Sequence, residues 1–346
     1  MRKRFEAIDG LRVIACIGII MMHIQANTSY NINGWFYEHA IPNMTLFVFL
    51  FIMISGFSMC AGYLDKFISG DIDLESFFKR RYQKILPFYS FLLLIDLIFE
   101  HSLHSVYEAS IEVTLLFGLL PNNAIKVIGV SWTLGVIFLF YLLFPAFSVI
   151  MKEKKRAWIL LLLSIWIVFV CEKYFFNSYF VTESFTPRHN FLYCLPLFVV
   201  GGIIYLYNQE IVKICSKLRW LVLWLCIGYT VVCILAPFAK TDFENYIKVI
   251  ILFSLWLMYA VGVDKKSKLL SSNFMKRCSK ISMEMYLAHM VIFRLLQKVG
   301  ILNLWQNDLF NYFTVVVLDI VILIIFIKAY SLFEKSVRRA IERRMK

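Results

Sequence analysis

The sequence predicts an all-α, polytopic integral membrane bundle of about ten transmembrane helices, with both termini in the cytoplasm. Three observations carry this expectation. Of 346 residues, 60% are hydrophobic and only 17% charged, against roughly 45–50% and 25% in a soluble domain. Apolar runs fill nearly the whole chain, more surface than a water-soluble fold can hide. The basic residues gather in short clusters between alternate runs, as the positive-inside rule requires.

A spanning helix needs roughly 20 mostly apolar residues. Ten stretches qualify, at about 9–27, 43–64, 83–100, 129–151, 156–176, 190–208, 218–238, 244–263, 281–299 and 312–333. The first follows a basic start, Met1-Arg2-Lys3-Arg4, but Gln25-Ala26-Asn27-Thr28 offers no small-x-small cleavage site, so an uncleaved helix is expected. The second and fourth carry no charge. The third holds Asp96, the eighth Lys248, the ninth Glu284 and Arg294, and the tenth Asp319. Residues 109–120 are too short to span, which predicts an interfacial or re-entrant segment.

Twenty-seven Lys and Arg fall in the termini and alternate loops expected in the cytoplasm, and only Lys126, Lys173, Arg188 and Lys240 in the loops opposite. That asymmetry requires an even number of spans. No repeat, flexible linker or long polar tract divides the chain, so residues 1–346 are expected to form one domain. The net charge of +13 suits lipid headgroups and topology rather than nucleic acid. The eight cysteines lie mostly in or beside apolar runs without CxxC or metal-type spacing, and are expected as small buried hydrophobes. His101 and His104, near Glu100 and Glu108, form a loose polar cluster short of a metal site; no metal is expected. His39 and His189 fall in outer loops and receive no role.

Ionisable groups inside spans are costly and usually face the bundle interior or a wet cavity. Arg12 and His23 are separated by just over three helical turns, which puts both on one face about 16 Å apart. Arg12 lies nearer the cytoplasm and His23 deeper. The same pattern fits an arginine snorkelling to headgroups and a histidine bonding between helices. Ser282, Tyr286 and His289 share a stripe on the ninth helix. Glu284 lies well off this stripe and Arg294 follows nearby, and one of the two charges is expected to line a cavity. Arg80, Arg81 and Lys84 form a basic cluster that topology alone explains and that would also hold phosphates. Ser55-Gly56 fits close helix packing, and Trp132 fits an interfacial belt.

In order along the chain, these pieces resemble the acyltransferase-3 family. They are Phe5-x-x-Ile8-Asp9-Gly10-Leu11-Arg12 with His23; Phe51-x-x-Ile54-Ser55-Gly56-Phe57; and Arg81-x-x-Lys84-Ile85-x-Pro87. Ser131-Trp132-Thr133-Leu134-Gly135-Val136 with Phe140-Tyr141-Leu142-x-x-Pro145, and Ser282-x-x-x-Tyr286-Leu287-x-His289, complete the set. Lys84 stands where the family more often has arginine, and Ile137 and Phe138 where many members have a glutamate.

The resemblance implies a membrane O-acyltransferase, by default an O-acetyltransferase, in the plasma (inner) membrane of a bacterium. It implies acetyl-CoA or another acyl-CoA as donor substrate, with no bound cofactor. The acceptor would be a hydroxyl of a cell-surface polysaccharide or lipid-linked sugar. On this reading His23 is the general base, Arg12 binds the donor or steadies negative charge, and His289 supplements the base. Arg81, Lys84 and Arg80 hold donor phosphates; Asp9, Ser55, Gly56, Trp132, Ser282 and Tyr286 support the site. The competing expectation is a transporter or flippase using the intramembrane charges, although no internal duplication of the usual transporter kind is visible.

Overall fold

In lipid every backbone N–H and C=O must bond within the chain, which leaves helices as the spanning form for such apolar runs. The computed structural model describes residues 5–99, 102–119, 128–181, 185–235 and 243–344, and among them every regular element is helical. Met1–Arg4, Glu100, His101, Lys126, Lys240 and the end of the seventh expected span lie outside the described residues.

Eight helices are long and apolar enough to cross a membrane. They are α1 (Glu6–Ala26), α2 (Phe36–Ser69), α3 (Leu74–Phe99), α4 (Trp132–Met151), α5 (Lys154–Phe175), α7 (Asn208–Leu235), α8 (Phe243–Val263) and α10 (Asp308–Arg344). Two shorter ones, α6 (Phe191–Leu206) and α9 (Ser282–Lys298), fall where the sixth and ninth spans were expected. The chain is a multi-pass membrane protein.

Several boundaries differ from hydropathy for local reasons. Helix α3 begins nine residues before the apolar run. Asp73 caps it, accepting hydrogen bonds from the Ser76 amide (2.6 Å) and hydroxyl (2.9 Å). Phe77 is buried there against Tyr63, Phe67 and Phe144. Helix α7 is kinked at Leu218 (φ −118°, ψ 27°), where the apolar run starts. Helix α10 outruns its span through a charged tail in which Arg338 pairs with Glu334 at i,i+4.

Helices α2 and α6 cross closely enough to require glycine from both. A Cβ on Gly56 would stand 2.1 Å from the Phe198 carbonyl oxygen, and one on Gly201 would stand 2.0 Å from that of Met53. The segment expected to be interfacial or re-entrant splits in two. Leu103–Glu112 forms a helix that ends with Glu112 buried on the Tyr89 hydroxyl. Leu115 and Phe117 then turn into the bundle, where Gly118 lies against Gly135 of α4. All eight cysteines are free thiols, six of them buried. His104 pairs with Glu108 at 3.3 Å.

Candidate active site

The basic residues between α8 and α9 fold back onto the start of α1. A side chain at Gly10 would meet the Leu270 backbone at 2.4 Å, and Lys276 pairs with Glu6 at 2.7 Å. This brings the short helix Asn273–Ser279 beside the opening motif. Ser279 donates to Asp9 at 2.8 Å, and Arg12 reaches Asp9 (3.5 Å), Ser279 (3.3 Å) and Ser58 of α2 (3.3 Å). Asp9 and Gly10 therefore have separable tasks: the carboxylate fixes the guanidinium, and the glycine admits the loop.

That guanidinium lines a cavity of about 200 Å³. Its basic end is formed by Arg12, Arg81, Lys84 and Lys280, from α1, α3 and the loop before α9. Four cations around one space make a site for a polyanion. Arg81 is fixed: it donates to the Tyr63 hydroxyl and stands over the rings of Tyr63 and Tyr141 at 4.8 and 5.5 Å. Arg80 is exposed and points away, outside this lining.

The walls carry hydroxyls and a carboxylate. Ser55, 3.5 Å from the Tyr141 hydroxyl, and Ser58 come from α2; Ser282 and Glu284 come from α9. Of the two charges of the ninth helix singled out in the sequence, Glu284 faces the cavity, with Oε2 buried and unpartnered among the described residues. Arg294 instead pairs with Asp96 at 3.3 Å. Thr133 and Tyr286 also line the cavity, on α4 and α9. Their hydroxyls are 2.7 Å apart, and both lie within bonding distance of the Val130 carbonyl (2.9 and 3.2 Å).

One turn beyond Tyr286 lies His289, 1% exposed. Its Nδ1 is 2.7 Å from the Tyr286 carbonyl oxygen, and Nε2 is buried without a partner among the described residues. His23 meets it from α1, the two ring centroids 5.1 Å apart. The opening helix thus delivers Arg12 to the cavity but His23 to a histidine pair beyond it. Tyr286, whose ring is 5.9 Å from that of His289, stands between. Cys16, 3.5 Å from the Ser282 carbonyl, holds α1 against α9 midway. Trp132 stacks on His189 at 4.2 Å.

Sequence reasoning missed Lys280, Ser58, Ser279, Tyr63 and Thr133 as members of the site, and the contact between the histidines. Lys280 looked like one topological cation among six, and serines in apolar helices give no periodic signal. Thr133 and Tyr141 did stand inside quoted motifs.

The described residues thus form a multi-pass helical bundle with a cation-lined cavity and, beyond Tyr286, a pair of facing histidines. A family model described as an acyltransferase domain matches residues 5–329. The chain belongs to the acyltransferase-3 family and is a membrane acyltransferase. No curated protein and no solved structure matches it.

Proposed function

We propose that the protein transfers an acyl group, acetyl by default, from acyl-CoA to a hydroxyl of a cell-surface polysaccharide or lipid-linked sugar. The bacterial plasma (inner) membrane is the setting this reading assigns. The observation that carries it is the cavity itself, lined by Arg12, Arg81, Lys84 and Lys280 and bounded by Tyr286, with the histidine pair beyond that tyrosine. The phosphates of the donor rest on Arg12, Arg81, Lys84 and Lys280, and its thioester arm extends past Ser282 toward Tyr286.

A hydroxyl is a poor nucleophile near neutral pH and needs a positioned base. His23 takes the acceptor proton as the oxygen attacks the thioester carbonyl. The C–O bond forms, the C–S bond breaks, and the proton held on His23 passes to the leaving sulfur, so that CoA departs as the thiol and the imidazole is regenerated. His289, held by its bond to the Tyr286 carbonyl, orients His23 from the facing helix. With Nδ1–H donating to that carbonyl, the unpartnered Nε2 of His289 is an acceptor and offers a second point of attachment for an acceptor hydroxyl.

The test is incubation of the purified full-length protein with labelled acetyl-CoA and a sugar acceptor. Labelled ester together with free CoA is expected. Uptake of substrate into vesicles without CoA turnover would instead favour the transporter reading.

A further inference from the structure

Arg188 sits in the Pro187–His189 turn that leads into α6, at the end of the bundle opposite the basic loops. Topology does not call for a cation there, because that side is otherwise poor in Lys and Arg. The residue is nevertheless half-buried. One guanidinium nitrogen donates to Thr45 Oγ1 at 2.8 Å, while Nε is buried with no partner among the described residues. No carboxylate among them is paired with it.

Its surroundings are built rather than loose. The Arg188 carbonyl accepts the Cys194 thiol at 3.2 Å, which ties the turn to α6. The next residue, His189, is stacked on Trp132, the neighbour of Thr133 in the site. Thr45 belongs to the 3-10 stretch Met44–Leu46 of α2, and the Met44 side chain packs at Gly18 of α1, below His23. A guanidinium has five N–H donors, and a half-buried one without an anionic partner bears a desolvation cost. Such a group is normally completed by an anion, and carboxylate and phosphate match its fork.

We propose that Arg188, aimed by Thr45 and flanked by the Trp132–His189 stack, is an anion-binding subsite that selects acceptors carrying a carboxylate or phosphate near the reacting hydroxyl. The subsite rests on the acyl-transfer reading for its purpose, but its binding chemistry is separable from that reading. It places the acceptor's charge on the outer side of the histidine pair and the donor's charges on the inner side. The two substrates are then sorted by which cations they meet.

The test uses the full-length protein, acetyl-CoA and three acceptors: octyl β-D-glucoside, octyl β-D-glucuronide and a glycerol-phosphate oligomer. Binding of each is measured alongside turnover. At least one anionic acceptor is expected to bind roughly 10- to 100-fold more tightly than the neutral glucoside, the range of a charge-assisted bond. Which one prefers the site distinguishes carboxylate from phosphate. In Arg188→Gln the anionic-to-neutral ratio of kcat/KM should collapse toward one, chiefly through KM. Arg188→Lys should keep part of that ratio and Thr45→Val an intermediate part, both with CoA binding retained as the check on folding. Equal binding of all three acceptors, or an unchanged ratio in Arg188→Gln, would overturn the proposal. Selective anion binding that depends on Arg188, with no acetyl transfer to any acceptor, would support the subsite while removing the acyl-transfer reading.

Discussion

The imidazole rings of His23 and His289 lie 5.1 Å apart although they come from the first and ninth helices. Their proximity makes each the immediate environment of the other, so their functional effects should not add. His23→Ala is expected to lower kcat by about 10²–10⁴, the usual contribution of a positioned base. His289→Ala should lower it as well, and the double variant should fall little below the worse single one. Steady-state rates on the three purified proteins, each first shown to bind CoA, check this. Full activity in His23→Ala would remove it as the base.

The cations near the cavity should separate by position rather than by charge. Arg81→Ala is expected to weaken CoA binding by about 10- to 100-fold, the range of a charge-assisted contact. Arg80→Ala, one residue away but outside the lining, should change it by less than about twofold. Calorimetric titration of each variant with CoA tests the pair. Equal losses at both positions would mean that the cluster acts as a diffuse surface charge.

Asp9 holds Arg12 both directly and through Ser279. Ser279→Ala should therefore raise the KM for acyl-CoA severalfold with little change in kcat, because it loosens a donor contact without touching the reacting atoms. A fall in kcat at unchanged KM would instead place this cluster at the chemical step.

The crossing of α2 and α6 leaves no room for a methyl group. Gly56→Ala and Gly201→Ala are each expected to destabilise the bundle by about 1–3 kcal/mol, the usual penalty of overpacking. The midpoint of thermal unfolding in detergent should fall correspondingly. An unchanged midpoint would show that the helices can separate at this crossing.

Asp319 is fully buried in α10, and neither carboxylate oxygen has a hydrogen-bond partner among the described residues. Asp319→Asn keeps the shape and removes the option of charge. It is expected to leave the unfolding midpoint unchanged or slightly raised, since an unsatisfied buried acid contributes no favourable bond. A marked fall in the midpoint would reveal an ion pair that the present arrangement does not contain.

Much of the architecture was legible in the sequence because the bilayer imposes a length and a polarity that composition cannot disguise. The short α6 and α9 were expected as apolar runs at 190–208 and 281–299, and the charge asymmetry across loops supported an even number of spans, although neither helix reaches the length of a typical span. The ends were harder. Phe77 lies inside a basic stretch, and only the aromatic cluster around it shows why α3 starts early. Within the site, the periodicity of Ser282, Tyr286 and His289 placed them on one stripe, but period alone could not say that His23 meets His289 while Arg12 stays in the cavity. That partition depends on how α1 and α9 cross, set by contacts such as Cys16 on the Ser282 carbonyl. Glu284 and Arg294 were indistinguishable until Asp96 of α3 was seen beside the arginine.

Helix α9 carries residues of both compartments along a single rod. Glu284 and Ser282 line the cavity, Tyr286 stands between it and the histidines, and His289 meets His23. A slide or twist of this one element would be felt at the inner mouth and at the histidines in the same instant. On the proposed reading, occupation of the cavity is thereby coupled to the geometry of the histidine pair.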